Sequence, residues 1–145
     1  MKHHQILSAA FAALCLQACT SITVEPLPAG VDEVLIVDNS AVKVEDFVEV
    51  MRGAFEDHGI RTRLVREEPA NTDVATLTYS ALKSWDLATY LCQAEVTVRR
   101  GGRPIANAEY HLIGKGGLSL FKWDSVETKM TPVYDQLLIN YPKAR

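Results

Sequence analysis

Residues 87–112 read LATYLCQAEVTVRRGGRPIANAEYHL, and the fold turns on this stretch. Ala88, Tyr90, Cys92, Ala94, Val96 and Val98 recur at every second position, the period that sends side chains to one face of a strand. Ile105 to Leu112 repeats the alternation with Ala106, Ala108, Tyr110 and Leu112. Between them, Gly101-Gly102 supplies the positive φ that a two-residue hairpin turn requires. The spacing predicts two long antiparallel strands joined by a tight turn.

Upstream, Asp73 to Lys83 alternates Leu77, Tyr79 and Ala81 against Thr76, Thr78 and Ser80, which predicts a further strand. Val34-Leu35-Ile36-Val37 is a continuous apolar run bounded by charge and by Asp38-Asn39-Ser40, as suits a central strand covered on both faces. Val44, Phe47, Val48, Met51, Phe55 and His58 then fall on one helical stripe, with Glu45, Asp46, Glu49, Arg52 and Glu56 outside it. Gly59 ends that helix, and His58 closes it where a cation suits the C-terminal dipole. Ile60, Thr62 and Leu64 alternate into the next strand.

Downstream, Gly114, Gly116 and Gly117 form a loop, and Val126, Met130, Val133, Leu137 and Tyr141 return to helical spacing. Pro132 has no N–H to give, so that helix is expected to begin near Thr131 or to bend there. The expected order is β-α-β-β-β-β-α. This is an α+β domain over 32–145, with a mainly antiparallel sheet of about five strands and two helices packed on one face.

The 145 residues, 48% of them hydrophobic, suffice for one domain with a core. Fifteen Lys and Arg against 18 Asp and Glu give a net charge of −3, which argues against a nucleic-acid partner. The chain opens with Met1-Lys2-His3-His4 and an uncharged apolar run from Ile6 to Leu16. Eleven helical residues rise about 16 Å, against about 30 Å of hydrocarbon, so the run reads as a signal segment and not a span.

The motif that follows, Leu16-Gln17-Ala18-Cys19, resembles the lipobox of bacterial lipoproteins. The resemblance implies a signal peptide over 1–18, cleavage before Cys19, and acylation of Cys19 on sulfur and amine with palmitate-like chains. The membrane is thus an expected partner through the N-terminal lipid. Each buried CH₂ contributes about 0.8 kcal/mol, so several chains anchor firmly. Thr20 stands where an Asp would signal retention in the inner membrane, which implies the outer membrane, periplasmic side. Pro26, Pro28 and Gly30 make 19–31 read as a tether.

Without residues 1–18 the net charge becomes −4, and Cys92 is the sole thiol besides Cys19, which excludes a disulfide framework. Cys92 then reads as a small buried hydrophobe. His58, His111 and Cys92 lack the spacing of a zinc site, so neither metal nor cofactor is expected. There is no Gly-x-Ser-x-Gly elbow, and Gly114-Lys115-Gly116-Gly117 departs from the order of a phosphate-binding loop.

Two features suit binding. Residues 25–57 carry a net −7 and residues 61–145 a net +3, with Arg99, Arg100 and Arg103 around one turn. Trp85, Tyr90, Tyr110, Phe121 and Trp123 gather along the late strands, and Phe121-Lys122-Trp123 lies in a Gly-rich region where an exposed pair would form a contact patch.

A wider pattern, Tyr79-x5-Trp85-Asp86-x3-Tyr90-Leu91-x2-Ala94 followed by Ile105-Ala106-x-Ala108-x-Tyr110, resembles a family of small proteobacterial lipoproteins to which no enzymatic role is attached. From the residues themselves, Trp85 is expected to cover the sheet and Asp86 to accept backbone amides at a bend. The expected function is a lipid-anchored, non-enzymatic binding or structural module, meeting an envelope protein or a second copy. The alternatives are an accessory lipoprotein of an envelope lipid or solute transport system, and an envelope hydrolase, which would need carboxylates converging in a cleft.

Overall fold

A computed structural model describes residues 20–70, 73–116 and 120–144; the expected leader over 1–18 and Cys19 lie outside the described residues. Among the described residues, six strands make one mixed sheet: β1 (Thr20–Glu25), β2 (Glu33–Val37), β3 (Arg61–Val65), β4 (Ala75–Asp86), β5 (Ala88–Arg100) and β6 (Arg103–Leu112). Their spatial order is β1-β6-β5-β4-β2-β3. The described residues also form two helices, α1 (Phe47–Asp57) and α2 (Val126–Leu137), and 3-10 turns over Ile113–Gly116 and Leu120–Trp123. None of the described helices is long and apolar enough to cross a membrane.

The α+β class stands, with two corrections to the sheet. First, there are six strands and not about five, because Thr20–Glu25, expected within a tether over 19–31, runs antiparallel to β6 from Thr20↔Leu112 to Glu25↔Asn107. Ile22 and Val24 turn toward the core, and Pro26, with no N–H to donate, ends the ladder. The rest of the expected tether is packed as well: Leu27 and Val31 are buried, and Leu27 N donates to Leu137 O at 2.8 Å. Second, the sheet is mixed, since β2 runs parallel to both β3 and β4. A helical crossover through α1 brings β3 back in the direction of β2, which a short turn cannot do.

The β5–β6 hairpin closes through Gly101 and Gly102 at φ 58° and 74°, with Arg100 opposite Arg103. Leu77, Tyr79, Ala94, Val96, Val98, Ala106, Ala108 and Tyr110 share one core with Met51 and Phe55 of α1 and Met130, Val133, Tyr134 and Leu137 of α2. Both helices thus cover the same face of the sheet. Across β5 and β6 the opposite face is polar, with Asn107 Nδ2 donating to Thr97 Oγ1 at 3.0 Å, while Leu35 of β2 is buried on it.

Helix α1 starts at Phe47, after Asp46 at φ 60°, so Val44 of the predicted stripe precedes it. Helix α2 starts at Ser125, whose Oγ accepts from Thr128 N at 3.0 Å, and it runs through Pro132. It stops at Leu137, and Tyr141 beyond it donates from its hydroxyl to Pro28 O at 2.5 Å and accepts from Val31 N at 2.9 Å.

Candidate functional site at the apolar end of the sheet

Strands β4 and β5 are longer than β6, and the excess builds the site. Gln93 pairs with His111, so everything in β5 before Cys92 passes beyond the end of β6 at Leu112. The overhang closes on a single residue, Leu87 at φ 62°, between the paired Asp86 and Ala88. Such a corner turns outward, and Trp85 is 71% and Leu87 82% exposed. The Leu120–Trp123 turn packs against β5 beside it, adding Leu120 and Phe121 at 77% and 71% exposure.

The turn is held from beneath. The buried Lys122 donates to the Asp86 carboxylate, and its ammonium lies 4.5 Å from the centre of the Trp123 ring. Trp123 Nε1 donates to Asp86 O at 3.0 Å. From α2, buried Lys129 donates to Leu91 O at 3.0 Å and to Lys122 O, with the Tyr90 ring 5.5 Å away. Burial lowers the Lys129 pKa, and the negative charge of Asp124 works against that shift. The polar groups under the apolar crown are thereby satisfied and fixed.

The chain enters at this same end. Thr20 pairs with Leu112, and the Ile113–Gly116 turn that follows Leu112 touches both β1 and the Leu120–Trp123 turn. Ile113 is exposed there too.

The residues expected to form a contact patch divide into two groups. Phe121 is exposed, whereas Trp123 is half-buried against the core. Arg99, Arg100 and Arg103 lie at the other end of β5, about 40 Å away over its 13 residues. There Arg99 leans on Thr78 Oγ1 at 3.4 Å, Arg100 reaches Gly30 O at 3.3 Å, and Arg103 is exposed. The expectation for Trp85 is overturned: it does not cover the sheet. The Asp86 carboxylate takes the Lys122 ammonium. The missed residues are Leu87 and Leu120; the signal was the length of β4 and β5 without a counterpart in β6.

Cys92 is half-buried, with its Sγ donating to Leu82 O at 3.4 Å, and His58 closes α1 with Nδ1 2.7 Å from Ala54 O. A groove of about 400 Å³ between the helices gathers Glu49, Asp57, Glu127 and Asp135. Lys143 takes up Asp135 at 3.0 Å, and Ala144 N donates to Asp57 O, so the C-terminal residues hold one side of it.

No family model and no curated protein sequence matches the chain. Among solved structures it is similar to a dodecameric PelC variant from Paraburkholderia phytofirmans, with a TM-score of 0.51 and 12% sequence identity over 79% of this chain and 97% of that one. At that identity the likeness is one of fold.

Proposed function

We propose that the chain is a lipid-anchored lipoprotein of the outer membrane, facing the periplasm, that works as a non-enzymatic binding or structural module. The observation carrying this reading is the junction of Leu16-Gln17-Ala18-Cys19 with β1. Thr20 is already in the sheet, opposite Leu112, at the end crowned by exposed apolar side chains. A cysteine acylated next to it has no tether to cross. Against the hydrolase alternative, Asp135 of the carboxylate groove between the helices is engaged by the chain's own Lys143.

Intact-mass measurement on protein extracted from membranes tests the reading. The mass expected is that of residues 19–145 plus a diacylglyceryl group and an amide-linked acyl chain. Cys19→Ala is expected to move the protein out of the membrane fraction. A bare cysteine, or a retained leader, overturns the proposal.

A second reading, self-assembly, draws on the sheet edges. Among the described residues, strands β1 and β3 each have a strand partner on one side only, and such an edge can pair with another chain. The similar PelC variant is a dodecamer. Light scattering of the detergent-extracted protein separates a closed oligomer from a monomer.

A further inference from the structure

We propose that the crown formed by Trp85, Leu87, Leu120 and Phe121 inserts into the interface of a lipid bilayer, so that the domain stands on the membrane with the β4–β5 corner lowermost. The proposal takes from the anchored reading only the nearness of a bilayer.

Position argues first. Of the large apolar side chains exposed among the described residues, Trp85, Leu87, Ile113, Leu120 and Phe121 lie at the end where the chain enters the sheet, and Leu82 lies just behind them on β4. Apolar groups concentrated this way mark a contact surface and not chance exposure. Shape argues next. The one-residue corner overhangs the end of β6 and carries Leu87 at 82% exposure, a projection that suits insertion among lipid chains. Tryptophan and phenylalanine at such a tip match the side chains that settle at the boundary between headgroups and hydrocarbon.

Depth is consistent with both. Thr20 is level with Leu112 and hence with Cys92, and Leu87 lies five positions before Cys92, or about 16 Å at ~3.3 Å per residue. The polar layer on each side of a bilayer is roughly 5–8 Å thick. With Thr20 at the outer boundary of that layer, the Leu87 corner passes through it into the hydrocarbon, and Trp85, opposite Thr89, lies nearer its inner boundary. Charge permits it as well. The half-exposed Asp86 carboxylate beside Leu87 is paired with the buried Lys122, and the exposed Lys83 stands at the rim where anionic headgroups would lie.

The full chain reconstituted into phosphatidylethanolamine–phosphatidylglycerol vesicles tests the proposal. Trp123→Phe leaves Trp85 as the sole tryptophan. Its fluorescence is expected to fall at least twofold when the acyl chains carry bromine, and the quenching is expected to be lost in Leu87→Asp/Phe121→Asp. If Trp123→Phe unfolds, the difference between wild type and Trp85→Phe isolates the same signal. Equal emission in plain and brominated vesicles overturns the proposal. So does a Trp85 shielded from acrylamide but insensitive to bromine, which would reveal a second copy or the apolar leader on the crown. Intact mass measured on the same sample keeps the two readings apart. Bromine quenching without lipid on Cys19 upholds insertion and sinks the anchor; lipid without quenching does the reverse.

Discussion

Lys122 and Asp86 lie 36 positions apart, yet the ammonium of one donates to the carboxylate of the other and so clasps the Leu120–Trp123 turn to the hairpin corner. The lysine is buried and the aspartate half-exposed, so solvent screens part of the attraction. Asp86→Asn is expected to cost about 1 kcal/mol of global stability. Its main effect is local. Hydrogen exchange in residues 120–123 should accelerate while the amides of β5 and β6 keep their protection.

Lys129 links α2 to that clasp through the Leu91 and Lys122 carbonyls. Lys129→Met leaves both without this donor and should lower stability by about 1–3 kcal/mol in urea denaturation. Burial holds its folded pKa below the ordinary 10.5, so the unfolded chain binds the proton more tightly. Wild-type stability gains from this residue as pH rises from the lowered value toward 10.5, and the gain should vanish in Lys129→Met.

The Tyr134 hydroxyl is buried and makes no hydrogen bond. Tyr134→Phe removes a desolvated polar group and keeps the ring that meets Phe55 edge-on at 6.5 Å, so stability should rise by about 1 kcal/mol. Burial pushes the Tyr134 pKa above the ordinary 10.0, and Tyr110 is raised for the same first reason. Above pH 10 the unfolded tyrosines ionise and the folded ones resist, so stability falls. Thermal melts in alkaline buffer should show a shallower fall for Tyr134→Phe, with the Tyr110 part remaining.

Trp85→Ala should change stability by less than about 0.5 kcal/mol, because the side chain is mostly in solvent. Phe55→Ala, at a fully buried position of α1, should cost about 3–5 kcal/mol. Equal losses for the two would contradict the outward placement of Trp85.

The β5–β6 hairpin was legible because a period of two and a Gly-Gly turn state the same geometry twice. Helix α1 was legible from Met51 and Phe55, whose spacing only a helix places on one face. Strand β1 was not, since Ile22 and Val24 are a single alternation backed by prolines, and the partner that makes them a strand lies near residue 110. The parallel pairing of β2 escaped because the alternation of its neighbours β3 and β4 carries no sign of direction. Phe121 announced itself through its glycine neighbours. Trp85 misled because residue type favours burial, and only the relative lengths of three strands show that it overhangs.

Strand β1 closes against β6, and the segment after β1 is pinned by residues that follow α2: Asn140 and Tyr141 hold the carbonyls of Leu27 and Pro28. The amino-terminal piece of the described domain is therefore held only by contacts that reach across as many as 113 positions. Closures of that span are slow to form, so this corner of the sheet is expected to be among the last parts of the fold to set.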